Sequence, residues 1–524
     1  MNDSSIHSTQ LSKQSQDPIQ IFHSKLIMQS ISNTLHEILL QDTLLYIAQT
    51  AVYLTITHNL YQIEDNQVGL IDCLVAYVVL NLITIIISDS VIEAGFHYVS
   101  QSLEAKKYNA SKIYFTYTFI FGFLTTVIIS LVILLGVQKE FITYILWRQQ
   151  TKEEKKVYRI LIIAFTFAYF PSSFNKLMRA EGRGCMTLNY FGLVLQFYIV
   201  TMTVFFTQLR EQNTSSLKFV PCLIIPVLIS AILSLFQMFH LFSKKFKYNN
   251  TLFIEKALFK PLRSKVVLEI SKLSLYNLYQ NVGDALIHLF TVQILSYSDV
   301  PVVIFTLIQL ELTNALNKSI SSNLSTAFRI NMQLKRYDRV FQFYLSSFPL
   351  LLVNLAFQVL TFSIRNLLYK IVFDNSFDSS LMLFHGSVDG LLGTFNAFST
   401  AVMRSDPHSK VGFFTGSFKL LLSIGFYLTA KYTNIGNSHY SSMLYLYKYC
   451  TDLVGFGLFI LYLQKFYILK KNSVEELIKE PKKLVLQELH VIEISGQSEP
   501  KETKESKTNE LSWALEEKKG DKGE

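Results

Sequence analysis

The stretch FNKLMRAEGRGC, residues 174–185, sets four charged side chains, Lys176, Arg179, Glu181 and Arg183, between two long apolar runs. Charge so close to apolar sequence is costly unless water reaches it, so the stretch reads as a turn at a membrane surface. It has an echo in the second half of the chain. There FNAFSTAVMRSD, residues 395–406, puts Arg404 where the first copy has Arg179. Two further pairs keep the same order at a near-constant offset: LHEI at 35–38 with VLEI at 267–270, and KKYN at 106–109 with KRYD at 335–338. Each match is short, but together they support an internal duplication.

The composition says what is duplicated. The 524-residue chain is 50% hydrophobic, 14% aromatic and only 17% charged, with a mean hydropathy of +0.30. A soluble protein of this length needs far more polar surface, so the chain is expected to be an all-α polytopic membrane protein. A span takes about 20 mostly apolar residues. That rule predicts twelve helices, near 36–58, 68–96, 112–137, 157–177, 186–208, 217–243, 266–295, 299–327, 340–364, 381–402, 410–430 and 441–468. Six spans in each copy make the repeats parallel, related by an axis along the membrane normal. The expected layout is a cytosolic segment 1–35, an N-lobe 36–243, a cytosolic linker 244–265, a C-lobe 266–470 and a disordered cytosolic tail 471–524.

The net charge is +9, and its placement orients the chain. Lys106, Lys107, Arg179, Arg183, a cluster from Lys244 to Lys265, Arg336, Arg339 and Arg404 all fall in loops on one side. By the positive-inside tendency that side is the cytosol, and both termini lie there. The basic segment KEEKKVYR at 152–159 runs against the bias. The charge is that of cytosolic loops, not of a nucleic-acid-binding face. The plasma membrane or an acidic organelle membrane would suit such a chain. Its four cysteines are scattered, without metal-ligand spacing, and read as buried thiols. No cofactor or metal is expected.

Ionisable residues inside spans are the functional candidates. In the seventh span Ser274, Asn277, Asn281, Asp284, His288 and Thr291 advance by steps of three or four, which lines them up on one helical face. Such a stripe cannot face lipid; it faces a cavity or other helices. The tenth span repeats the pattern with His385, Asp389, Asn396 and Thr400. Each stripe holds an Asp and a His four apart, close enough to touch. In the eighth span Glu311, Asn314 and Lys318 share a face. Polar residues also hold bundles together by interhelical hydrogen bonds, which is the reading for Asn and Thr alone and for the pair Lys448 and Asp452. For the carboxylates the functional reading is favoured. Asp284 and His288, with Asp389, His385 and Glu311, are the expected cation or proton sites. Asn277, Asn281, Asn314, Asn396 and Gln196 are expected to line a substrate cavity. The N-lobe is sparser, with Asp42, Gln49, Asn81, Asp89, Glu93, Asn189 and Gln196.

Parallel six-helix repeats, with a basic turn after span two and an Arg-x-x-Gly turn after span four, resemble the multidrug and toxic compound extrusion (MATE) transporters. MRAEG at 178–182, with Arg179 and Gly182, looks like that family's turn between spans four and five. SQSLEAKKY at 100–108, with Ser100 and Gln101, looks like its Ser-Gln-x-x-Gly-Ala turn, Glu104 standing in for the Gly. The resemblance spans roughly residues 35–468. It implies two six-helix lobes around a central cavity and export of amphipathic, often cationic compounds in exchange for H⁺ or Na⁺. Asp284 and Asp389 look like acids that members carry in spans seven and ten. The chain departs from the family at Thr55, where members often have Asp, at Gln196 and Val200, where they often have Asn and Asp, and at RSDP in the second repeat.

The expected function is therefore a secondary antiporter, not an enzyme, acting on small organic solutes in a lipid bilayer with no nucleic-acid partner. Two other readings stay open: a flippase for a lipid-linked or amphipathic substrate, and a membrane acyltransferase using His288 or His385. The chain contains no Gly-x-x-x-x-Gly-Lys-Ser/Thr loop for ATP.

Overall fold

The computed structural model describes residues 82–104, 107–137, 264–294, 300–373, 382–406, 410–432 and 436–479, together with isolated helical positions between 39 and 78, between 159 and 173, and at 232 and 236. Every regular element among these residues is a helix. A π-helical segment, Ile85–Ile92, leads into α1 (Glu93–Glu104), and α2 (Tyr108–Val137) follows. In the C-lobe the elements are α3 (Ser264–Ile294), α4 (Val300–Thr313), α5 (Ala315–Gln333), α6 (Tyr337–Leu345), α7 (Ser347–Ser363), α8 (Arg365–Phe373), α9 (Met382–Ser405), α10 (Lys410–Tyr432) and α11 (Gly436–Lys479). They follow predicted spans two, three and seven to twelve. Apart from those isolated positions, the first, fourth, fifth and sixth spans, residues 1–35, most of the linker and everything after 479 lie outside the described residues.

Several of these helices join end to end. Asn314, at φ −81° and ψ −6°, separates α4 from α5. The ladder still runs through it, with Asn314 N–H on the Leu310 carbonyl at 3.0 Å and Lys318 N–H on that of Asn314 at 2.8 Å. Ser346 and Ile364 join α6, α7 and α8 in the same way, both in right-handed helical conformation. Spans eight and nine are thus long rods. The turn between them, at KRYD, is tight. Lys335 takes φ 54°, and Arg336 N–H reaches back to the Asn331 carbonyl at 2.8 Å, closing the end of α5 as a left-handed helix cap does.

Among the described residues, five helical stretches are long and apolar enough to cross a membrane: Leu82–Ser102, Ala110–Leu135, Tyr337–Ser363, Lys410–Thr429 and Leu444–Asn472. Their outward faces are apolar. On α2, Leu124, Ile128, Leu131 and Leu135 sit a helical turn apart and are all more than half exposed, as a lipid-facing stripe must be. The chain is an integral, multi-pass membrane protein. The long helices α3 and α9 carry the polar stripes; α3 packs on α10, and α9 on α5, α7 and α11. α11 continues past 470 to Lys479, since Val474, Glu475, Glu476 and Leu477 include good helix formers even where the apolar run has stopped.

The C-lobe core lies among α5, α6, α9 and α11, with Phe328, Phe343, Tyr344, Phe398 and Phe466 fully buried. Tyr344 stacks on Phe459 at 4.6 Å and donates its hydroxyl to the Phe459 carbonyl at 3.1 Å. Lipid is as apolar as these rings, so close packing and hydrogen bonds hold the helices together, not the expulsion of water. Small residues permit that closeness. A Cβ on Gly283 of α3 would come within 2.7 Å of the Lys419 backbone oxygen of α10, and one on Gly416 of α10 within 2.8 Å of the Tyr279 oxygen of α3.

The two repeats meet where α1 and α2 pack on α3. Ala94, Tyr117, Ile270 and Leu273 form a buried patch there. Tyr114 donates to Glu269 at 2.6 Å, and Arg404 of α9 lies 3.8 Å from Glu93. Arg329 of α5 sits over the Phe96 ring at 5.8 Å. The π-helical turn also belongs to this seam. Its wider winding loosens the ordinary backbone ladder, and the Ser90 carbonyl receives the Asn277 amide from α3 at 3.3 Å.

Candidate functional site

The polar stripes of α3 and α9 end at two separate clusters, with α11 between them. The first centres on Asp284, in the middle of α3. One carboxylate oxygen accepts from Lys419 Nζ of α10 at 2.7 Å, the other from the Tyr447 hydroxyl of α11 at 2.9 Å. Among the described residues these are its partners; His288, one turn along, is not. Asp284 is 36% exposed and Lys419 24%, so the pair is charge-balanced and open on one side. The ring of His288 sits in the field of Glu311, Lys318 and Asp284, and its Nδ1 is buried without a hydrogen-bond partner. Glu311 and Lys318 form an ion pair across the Asn314 junction. The first cluster therefore gathers three of the predicted residues, Asp284, His288 and Glu311, into one neighbourhood.

The second cluster is built differently. Lys448 of α11 lies against Asp389 of α9 and against Asp452 one turn on in its own helix, at 3.1 Å. Asp452 also accepts from the Asn396 amide at 2.7 Å. Asp389 is 1% exposed, Asp452 5% and Lys448 12%. Two acids thus share one base with almost no access to solvent, and the group carries an uncompensated negative charge when both acids are ionised. Asp389 keeps one oxygen, Oδ2, without a hydrogen-bond partner.

A set of amides packs against the neighbouring turn of α9. Asn354 of α7 donates to Asn317 Oδ1 of α5 at 3.0 Å, to Thr394 Oγ1 at 2.7 Å and to the Gly390 carbonyl at 3.2 Å. Gln358, one turn further on α7, donates to the Thr313 carbonyl at 2.6 Å. Gly393 allows α5 to approach: a Cβ there would meet Asn317 Nδ2 at 2.6 Å and stand 3.6 Å from Asp452 Oδ2. Between the two clusters lies a cavity of about 30 Å³, lined by Gln280, Asn281, Asn396, Thr400, Lys419 and Thr451 among others. It has room for a water molecule or so. It touches Lys419, the partner of Asp284, and Asn396, the partner of Asp452.

The other predicted residues divide as follows. Asn277 and Asn281 stay on the α3 stripe, Asn281 donating to the Asn277 carbonyl at 3.0 Å while Asn277 reaches the π-helical turn. Asn314 is half-buried at its junction. Ser100 is buried and Gln101 exposed in the last turn of α1. Arg179, Gly182 and Gln196 lie outside the described residues, as do the side chains of Asp89, His385 and Thr291, although the last three positions are helical. Sequence reasoning did not single out Lys419, Tyr447, Asn354 or Gln358. Each left a signal: a lysine in mid-span, and an Asn and Gln four apart in an otherwise apolar helix.

No family profile and no curated protein matches this sequence. Solved structures do match the fold. A MOP superfamily transporter from Pyrococcus furiosus, described as having a binding pocket of reversed polarity, superposes with a TM-score of 0.63 at 14% identity, over 85% of this chain and 98% of its own. A MATE in its bent conformation gives 0.63 at 14%, over 88% and 100%. An outward-facing multidrug resistance MATE transporter gives 0.62 at 14%, over 86% and 99%. The chain has the fold of the MATE transporters of the MOP superfamily.

Proposed function

We propose that the chain is a divergent MATE-like secondary antiporter. It exports amphipathic or cationic organic compounds in exchange for an inward cation bound in the C-lobe, H⁺ in preference to Na⁺. The observation that carries the reading is the buried Asp389–Lys448–Asp452 triad. A buried carboxylate left over after pairing is expensive in a low-dielectric interior, and one proton removes the excess charge. With the proton on Asp389, Lys448 and Asp452 remain as a neutral pair. With it gone, the triad is anionic and favours whichever conformation lets water or another cation approach. A ligand that binds one conformation better shifts the balance between them.

The sequence puts Asp284 first among the acids; the packing favours Asp389. Asp284 already has Lys419 as counter-charge and a hydroxyl on its second oxygen, so it has less to gain from a proton. Asp284, His288 and Glu311 are the proposed second station, with the cavity between α3 and α11 as the water-filled link. Asn277, Asn281 and Asn314 remain the proposed polar contacts for solute. The test is solute flux in proteoliposomes under imposed pH or sodium gradients. Antiport predicts uptake that follows the pH gradient and is lost in Asp389→Asn; flux indifferent to both gradients overturns the reading.

A further inference from the structure

We infer that Lys448 is a tethered cation occupying a site otherwise built for an alkali metal ion, and that it is the residue that keeps Na⁺ out of the C-lobe. This rests on reading the triad as the coupling site. Asp389 Oδ2, Asn354 Oδ1 and Gln358 Oε1 are all buried and without hydrogen-bond partners. Their residues meet at one turn of α9: Asn354 bonds the Gly390 carbonyl, and a Cβ on Gly390 would touch Gln358 Cγ at 3.1 Å. Asn354 and Gln358 are both 0% exposed. Buried acceptors left unsatisfied at one place mark a site short of protons or positive charge.

Carboxylate and amide oxygens are the ligands that hard cations take. Asp389, Asp452, Asn354 and Gln358 make up such a set. In this chain the two acids of that set are already bridged by the Lys448 ammonium, a compact cation on a flexible stem, while the amide oxygens beside them stay unpartnered. The ammonium takes one oxygen of each acid and holds the position between them that a metal ion would need, so the one negative charge left over has no coordination shell to offer. A proton still fits, because it needs one oxygen and no coordination shell. The groups that face Lys448 are Asp389 from α9 and Asp452 from its own helix, with Tyr445 close by. Among the described residues that pack here, it is the one cation in contact with both acids.

The experiment is thermal unfolding of the full-length protein in detergent, titrated with sodium chloride against choline chloride at constant ionic strength, alongside radioactive sodium binding. Wild type should bind no sodium and show no sodium-specific shift. Lys448→Met should gain both, with Tm rising by about 1–2 °C at about 0.1 M sodium, as expected when a ligand binds only the native state of a chain this long. Lys448→Met/Asp389→Asn should lose the gain. If Lys448→Met does not fold, Lys448→Met/Asp452→Asn, which removes both members of the helical pair, should bind sodium through the remaining acid. Sodium binding by wild type overturns the inference, and so does a folded Lys448 variant that binds none. None of these readouts involves transport, so proton-independent flux would sink the proposed antiport while leaving the role of Lys448 to be judged by binding alone.

Discussion

Asp284 and Asp389 occupy comparable places in the sequence, each in mid-helix, on a polar stripe, four residues from a histidine. Packing makes them unlike. Asp284 has one lysine to itself and is 36% exposed. Asp389 shares one lysine with a second acid and is 1% exposed. The first arrangement resembles a surface ion pair, which contributes little to stability and tolerates loss of a partner. The second resembles a buried ion network, in which removing one member leaves charge with nowhere to go. What a carboxylate can do in a membrane thus depends on how many acids share each base, and its place in the sequence does not reveal that.

The largest effect is expected at Lys448. Lys448→Met in sodium-free buffer leaves two buried acids without a cation and should cost about 3–5 kcal/mol, read as a large fall in thermal stability that Lys448→Met/Asp389→Asn partly restores. A loss no greater than that of Lys419→Met would mean that the triad is hydrated and not a buried network. A smaller effect is expected from Gly393→Val. It drives a side chain into Asn317 beside Asp452 and should cost about 1–3 kcal/mol, as overpacking does. Unchanged stability would show that α5 and α9 are not in close contact there. Lys419→Met should have the smallest effect, about 1 kcal/mol or less, because Asp284 keeps the Tyr447 hydroxyl and its open side.

Much of this fold was legible. Apolar runs predicted spans at 381–402 and 410–430, and the helices are Met382–Ser405 and Lys410–Tyr432. Length and hydropathy suffice there because a membrane dictates both. The periodicity of the α3 stripe put Asp284 and His288 one helical turn apart. It also suggested that the two would pair, and Asp284 turns to α10 and α11 instead. The pair Lys448 and Asp452 was readable as an i, i+4 contact within one helix. That Asp389 joins it was not readable. That contact depends on how α9 crosses α11, and crossing is decided by close approaches at residues such as Gly393 and Gly455, where a Cβ would strike Asn317 and Asn396. Asn354 and Gln358 were passed over because amides in an apolar helix look like ordinary bundle contacts until their unpaired oxygens are seen together.

Under the proposed function, the buried, under-neutralised acid carries the coupling and the paired, exposed one does not. The most direct test is pH-gradient-driven flux of Asp389→Asn and Asp284→Asn, side by side in proteoliposomes, with solute binding measured on the same preparations. Asn keeps the size of Asp but cannot titrate. The account predicts that Asp389→Asn binds solute yet loses gradient-driven flux, while Asp284→Asn keeps most of it. The reverse result, with Asp389→Asn transporting as wild type and Asp284→Asn uncoupled, would contradict it and return the coupling site to α3.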